Sequence, residues 1–183
     1  MITSKRELNR VLKVEGQKYQ LSLLQRVLGF FGLSERGIIW NYQSKLRKYE
    51  YHLNSKHRIR SILYHFLVNR LSFRYGMVIE PNAVDEGMYI CHIGKILIRG
   101  KIGKNSTIHI QVALVGGASS DEDPVCGDNV YFGIGSTVVG GINVGDNVCI
   151  GAGAVVTRNV ENNCTVAGIP AKVINHRGPL DWR

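Results

Sequence analysis

Two histidines in the second half of this 183-residue chain, His92 and His109, are the side chains best placed to move a proton near neutrality. An unperturbed imidazole titrates at about 6.5, so it can take the proton of a hydroxyl that is becoming a nucleophile. Either could equally be a polar residue that faces solvent or a neighbouring subunit. Cys91 precedes His92 and raises a thiol nucleophile as a second route. Adjacent residues of a strand point to opposite faces, however, which separates the two groups. His52, His57 and His65 lie among basic residues and read as surface or packing histidines. No Ser-His-Asp set and no metal-ligand spacing competes. Cys91, Cys126, Cys149 and Cys164 are spaced 35, 23 and 15 apart without a C-x-x-C pair, and read as reduced thiols.

The elements that must carry these residues follow from a repeat. Counting in sixes from Val78 gives Val84, Ile90, Ile96, Ile102, Ile108, Leu114, Ser120, Cys126, Phe132, Val138, Val144, Ile150 and Val156. Thirteen of these fourteen positions are apolar, and the exception, Ser120, sits in the polar stretch 118–124. Neither the helical period nor the two-residue strand period sustains a six. A short strand that turns one aliphatic side chain inward, followed by a tight turn, does. Three such units close a triangular coil of about 18 residues, and stacked coils make a parallel β-helix. Gly103-Lys-Asn105, Gly127-Asp-Asn129 and Gly145-Asp-Asn147 are assigned to the turns. Residues 78–159 supply four to five coils, with one loop extruded near 115–125.

Glycine and charge divide the chain at the same place. Only 4 of the 21 glycines precede residue 76. Residues 1–75 hold 15 Lys+Arg against 4 Asp+Glu, a net +11, whereas residues 76–183 hold 8 against 10, a net −2. The basic half has apolar residues at helical spacing over Leu21–Leu28 and Ile59–Leu71. Asn54 or Ser55 is expected to cap the second of these helices, and Gly29, Gly32 and Gly37 to mark breaks. The expected organisation is α+β: a basic helical region over 1–75, a β-helix over 76–160 and a C-terminal extension over 161–183. A uniformly basic nucleic-acid binder is a poor description, and no run approaches the roughly 18 apolar residues of a membrane span. The early charges and missing signal core of Met1–Glu7 point to a cytoplasmic protein.

Five segments carry a family resemblance: Gly76-Met-Val-Ile-Glu-Pro-Asn-Ala83, Tyr89-Ile-Cys-His-Ile-Gly94, Val115-Gly-Gly-Ala118, Gly151-Ala-Gly-Ala-Val-Val156 and Val166-Ala-Gly-Ile-Pro-Ala-Lys172. Over about 74–174 the chain resembles the hexapeptide-repeat acyltransferases of left-handed β-helix fold, nearest to the serine acetyltransferase branch. The resemblance implies acetyl transfer from acetyl-CoA to a hydroxyl, without a metal, in a homotrimer whose sites lie between subunits. It places His92 as the general base. His109 is the rival for that role or a substrate contact. Gly116, Gly117, Ile134, Gly135, Ala152 and Gly153 fall at the positions that approach the pantetheine arm. Lys172, helped by Arg158 or Arg177, meets the nucleotide phosphates.

Two departures bear on the acceptor. The family pairs its histidine with an aspartate where this chain has Val78, which leaves Glu80 or Asp85 as orienting carboxylates. The family's Arg-His-Pro, which holds the amino acid, reads Glu122-Asp-Pro124 here. A carboxylate in place of a cation repels a substrate carboxylate. A sugar hydroxyl of a polysaccharide precursor, held by Glu122 and Asp123, is therefore the expected acceptor. Serine is the alternative, and a non-catalytic assembly module the second. A carbonic-anhydrase-like reading fails for want of a third coil histidine. The basic helices are read as a solvated cap, with contact to anionic lipid as the competing role.

Overall fold

The computed structural model describes residues 1–117 and 122–179, so Ser120 and the stretch 118–121 lie outside the described residues. Four helices come first: α1 (Lys5–Tyr19), α2 (Leu23–Phe30), α3 (Glu35–Asn54) and α4 (Arg58–Tyr75). Ser4 with Glu7 and Ser22 with Gln25 form reciprocal capping boxes that satisfy backbone N–H groups at the starts of α1 and α2. α4 begins at His57 without a side-chain cap. Asn54 and Ser55 serve elsewhere: Asn54 donates to the Ile2 carbonyl at 2.9 Å and Ser55 to the Thr3 carbonyl at 3.0 Å. Gly29 and Gly37 are not breaks either. They sit within α2 and α3 where the helices cross, and a Cβ on either would strike the other's backbone. Gly32, at φ +82°, is the break.

Fourteen short strands follow among the described residues: β1 (Met77–Ile79), β2 (Tyr89–Ile90), β3 (Ile96–Ile98), β4 (Lys101–Ile102), β5 (Thr107–Ile108), β6 (Ala113–Val115), β7 (Val125–Cys126), β8 (Tyr131–Phe132), β9 (Thr137–Val139), β10 (Asn143–Val144), β11 (Cys149–Ile150), β12 (Val155–Val156), β13 (Thr165–Ala167) and β14 (Lys172–Asn175). They stack in three walls, β1-β3-β6-β9-β12, then β4-β7-β10, then β2-β5-β8-β11-β13, with β14 antiparallel at the edge of the third. This is a triangular parallel β-helix, consistent with the left-handed coil expected.

Columns of buried side chains run up its interior. Ile90, Ile108, Phe132, Ile150 and Val166 stand in register on one wall. Val84, Ile102, Cys126 and Val144 do so on another. Neighbours such as Ile90 and Ile108 are 18 residues apart, but Ile108 and Phe132 are 24 apart. The stretch between β6 and β7 thus adds six residues, which is why the six-residue count survives it. The count fails at its first member. Val78 is 43% exposed, while Met77 and Ile79 point inward. The repeat takes hold at Val84.

The turns divide labour between Asn and Gly. Asn105, Asn129, Asn147 and Asn163 adopt φ between 54° and 60°, a left-handed conformation that asparagine tolerates. The glycines two residues before the first three of them supply space instead. A Cβ on Gly103 or Gly127 would collide with the carboxylate of Asp128 or Asp146. Those carboxylates accept hydrogen bonds from the Lys104 and Asp128 N–H groups, each at 2.7 Å. Asn162 does the same for Asp146 at 2.8 Å.

A parallel β-helix leaves unpaired backbone groups at its open end, and the helices satisfy them here. The Arg47 guanidinium is buried between Glu15 and Glu50 at 2.7 and 2.9 Å. It donates to the carbonyls of Val84 and Asp85 at 2.7 and 2.8 Å. Glu15 accepts from the Gly87 and Met88 N–H groups, and Glu50 from that of Asn82. Tyr19 and Tyr42 accept from the N–H groups of Ile90 and Ile79 at 3.0 and 3.2 Å. Burial opposes the charge on Arg47, but Glu50 and Glu15 outweigh it and raise its pKa above the ordinary value. Removing one partner of such a network strands buried charge. Arg47→Ala should cost about 3–5 kcal/mol in urea unfolding. The exposed Arg10–Glu86 pair provides the control, because Arg10→Ala should cost about 1 kcal/mol or less.

Candidate active site

Each coil turns from the third wall back to the first at one corner of the triangle, and His92 stands on that corner between β2 and β3. The same corner carries Ile110-Gln111, Ile134-Gly135 and Ala152-Gly153 in successive coils. The Gly135 N–H donates to the Ile110 carbonyl at 3.0 Å and the Gly153 N–H to the Ile134 carbonyl at 2.8 Å, which locks the turns into one ridge. Gly135 and Gly153 take positive φ, and nothing lies within 4 Å of where a Gly153 Cβ would stand. Ile134 and Ala152 are exposed on the ridge. Four of the expected pantetheine-facing positions therefore share an edge with His92.

His92 projects into solvent with its side chain 58% exposed. The carboxylate brought to it is Glu35, from the first turn of α3. Glu35 Oε1 lies 3.4 Å from His92 Nδ1 and accepts the Ile93 N–H at 3.0 Å. One carboxylate oxygen thus engages the ring and pins the turn that carries it. The carboxylates expected from the sequence are occupied elsewhere. Glu80 pairs with Arg99 at 3.4 Å. Asp85 lines a cleft with Arg10, Arg47, Lys101 and Lys104 on the side of the capping helices. Val78 leaves its outward position apolar.

His109 sits beside His92, with ring centroids 6.3 Å apart. Its Nε2 is 2.9 Å from the Tyr131 hydroxyl, and among the described residues its Nδ1 is buried without a hydrogen-bond partner. Burial and then the neighbouring His92 lower its pKa, so it stays neutral where an exposed histidine would begin to charge. With one nitrogen engaged and the other enclosed, His109 is less suited than His92 to reach an external proton. Burial pushes the Cys91 thiol up to about 11, so the thiolate is scarce at neutral pH.

The remaining expected residues lie apart from this ridge. Gly116 and Gly117 follow β6, on the corner between the first and second walls. Glu122 and Asp123 precede β7 at that same corner, where the Pro124 carbonyl accepts from the Lys101 N–H at 2.9 Å. Lys172 is exposed on β14, and Arg158 and Arg177 are exposed nearby in sequence. Within one chain, then, the structure groups His92, His109, Ile134, Gly135, Ala152 and Gly153, and separates Gly116, Gly117, Glu122 and Asp123 from them. Glu35 and Tyr131 are the contacts that sequence reasoning missed. Nothing about Glu35 in a helix start announces a contact 57 residues away. Tyr131 was findable, because it stands one residue before Phe132 in the count and so faces outward.

Comparison with known proteins bears on the whole arrangement. Residues 123–158 match the family described as Bacterial transferase hexapeptide (six repeats). The chain is 38% identical to a serine acetyltransferase of Synechococcus elongatus over 115 residues, covering 58% of this chain and 47% of that one. It is 30% identical to a serine acetyltransferase of Buchnera aphidicola over 163 residues, covering 86% and 58%. The chain thus spans about half the length of these curated relatives. Its fold superposes on the crystal structure of a Brucella abortus serine acetyltransferase with TM-score 0.72 at 26% identity, covering 95% and 71% of the chains. That enzyme is also known in complex with coenzyme A, a structure matched with TM-score 0.68 at 25% identity over 96% and 71%. The serine complex of a Neisseria gonorrhoeae serine acetyltransferase matches with TM-score 0.69 at 26% identity over 94% and 71%. Residues 123–158 thus carry that family's hexapeptide repeat, and over its helices and coils the chain is similar in sequence and fold to the serine acetyltransferases.

Proposed function

We propose that this protein is an acetyl-CoA-dependent O-acetyltransferase with His92 as its general base. The observation that carries the reading is the shared corner: an exposed imidazole, braced at Nδ1 by Glu35, heads the ridge of Ile134-Gly135 and Ala152-Gly153. Nε2 of His92 takes the acceptor's hydroxyl proton, and the oxygen attacks the thioester carbonyl. Backbone N–H groups hold the developing oxyanion. The C–S bond breaks as the tetrahedral intermediate collapses, and the departing thiolate takes the proton from His92. Acetyl-CoA lies along the ridge, with Lys172, Arg158 and Arg177 toward its phosphates. The corner bearing Gly116, Gly117, Glu122 and Asp123 belongs to the same site when supplied by a neighbouring copy, as in a homotrimer.

Serine is the acceptor that the comparisons favour, because the relatives described above are serine acetyltransferases and one is known with serine bound. They give no support to the sugar acceptor expected from the sequence. A sugar hydroxyl stays as the second reading on the chain's own residues. Glu122 and Asp123 replace the cation and histidine that would meet an amino-acid carboxylate, and Val78 replaces an aspartate.

Thiol release from acetyl-CoA, followed with serine and with a panel of sugars and nucleotide sugars, separates these readings. Turnover with serine supports the first acceptor, and turnover with a sugar alone supports the second. No turnover with any acceptor, together with no binding of coenzyme A, overturns the enzyme reading. With the active acceptor, His92→Ala should lower kcat by about 10²- to 10⁴-fold, the usual worth of a general base. Glu35→Gln keeps an acceptor for the Ile93 N–H but loses the charge. It should lower kcat by about fivefold or less, as expected for an exposed ion pair, with KM for acetyl-CoA unchanged. Cys91→Ser should leave turnover intact, and its loss would revive the acyl-thiol route.

A further inference from the structure

The helical segment presents two faces, and only one is used to close the coil. On α4 the inward residues are Tyr64, Val68, Leu71, Ser72 and Tyr75, buried or half-buried toward α3 and β1. The outward residues Ile59, Ile62, Leu63, Phe66 and Phe73 are apolar as well, and Ile59 and Phe73 are 85% and 88% exposed. At 3.6 residues per turn these five fall within an arc of roughly 100°. Both sides of α4 are therefore apolar, and among the described residues only one of them is covered.

α2 continues the surface. Leu23, Leu24, Phe30, Phe31 and Leu33 are exposed along and just beyond it. Its end meets the end of α4, because Gly32 approaches the Tyr75 hydroxyl and the Arg74 guanidinium. The charges on the two helices have one sign. α2 and α4 carry Arg26, Arg58, Arg60, Arg70 and Arg74, all exposed, and no Asp or Glu. Among the described residues none of these five arginines pairs with a carboxylate. On the helical wheel Arg70 falls within the apolar arc, while Arg60 and Arg74 flank it on one side and Arg58 on the other.

We propose that the outer face of α2 and α4 is a docking surface for an anionic lipid bilayer, lying parallel to the membrane plane with its aromatic and aliphatic side chains in the interface. An apolar stripe bordered by arginines is what such a surface recognises: apolar area inserts among the acyl chains while cations meet the headgroups. The charge pattern argues against a second copy using the same patch. A two-fold contact would place arginines opposite arginines with no acid on either helix to answer them. This inference is independent of the acceptor and of His92.

The test is co-sedimentation of the full chain with extruded vesicles of phosphatidylcholine alone or with about a third phosphatidylglycerol. The expected result is binding to the anionic vesicles at least about tenfold tighter than to the neutral ones, weakening as salt rises. Phe66→Asp/Phe73→Asp should abolish it, and Arg70→Glu/Arg74→Glu should weaken it by about tenfold or more. Thermal unfolding checks that both variants fold, which the exposure of these side chains favours. No binding to anionic vesicles overturns the proposal, as does binding that the aspartate variant leaves unchanged. If sedimentation equilibrium shows an oligomer that Phe66→Asp/Phe73→Asp dissociates, while vesicles bind nothing, the face is a protein interface and the lipid reading is wrong.

Discussion

A stack of coils has an end, and everything else in this molecule depends on how that end is closed. Interior coils hydrogen-bond to the coil on each side, but the first coil has a neighbour on one side only. Its carbonyls at Val84 and Asp85 and its N–H groups at Asn82, Gly87 and Met88 would otherwise face buried helices without partners. Arg47, Glu15 and Glu50 supply those partners as one ion-paired group. Two carboxylates and one guanidinium, nearly free of water, are costly to assemble and costlier to leave half assembled. The arrangement persists because each member also answers a backbone group that has no other recourse. Hydrophobic burial by Ile39, Tyr42 and Leu46 then completes the cap around it.

The same docking gives the candidate site its character. α3 lays Arg47 across the coil end and, from its other terminus, delivers Glu35 to the corner that bears His92. The brace on the imidazole therefore comes from the cap, not from the β-helix wall. The outward residue of β1, Val78, has no polar group to offer. The capping segment and the proposed chemistry are thus linked through one helix, α3, which carries both Arg47 and Glu35.

Much of this was legible in advance, and the limits have physical reasons. The inward columns were readable because a triangular coil repeats its demand for one buried aliphatic residue at a fixed interval, from Val84 to Val156. Val78 broke the count because the chain enters the first coil from a helix, and the first strand is set by the Gly76 cap rather than by a preceding turn. The turn glycines were located correctly, but their cause was not conformational. Gly103 makes room for a carboxylate from the next coil, and no local rule contains that information. His92 was picked out by resemblance, whereas Glu35 and the buried Glu15–Arg47–Glu50 group were invisible. They depend on which helix face meets the coil end, and a sequence read along its length does not disclose that. Asn54 and Ser55 misled for the same reason, since both were drawn away to the chain's first residues.

The ladder of turn side chains has a consequence for how this protein can change. Asp128 completes the turn that follows Gly103, Asp146 the one after Gly127, and Asn162 the one after Gly145. Each turn is finished by a residue about one circuit later, so a coil is never a self-contained unit. The circuits differ in length, since Asp128 lies 24 residues after Lys104, Asp146 18 after Asp128 and Asn162 16 after Asp146, yet each turn keeps its acceptor. The longest circuit takes its extra residues between β6 and β7, at the corner between the first and second walls. That corner also bears Glu122 and Asp123, the residues that depart from the family at the acceptor position. Length gained there leaves the frame that holds His92 in register.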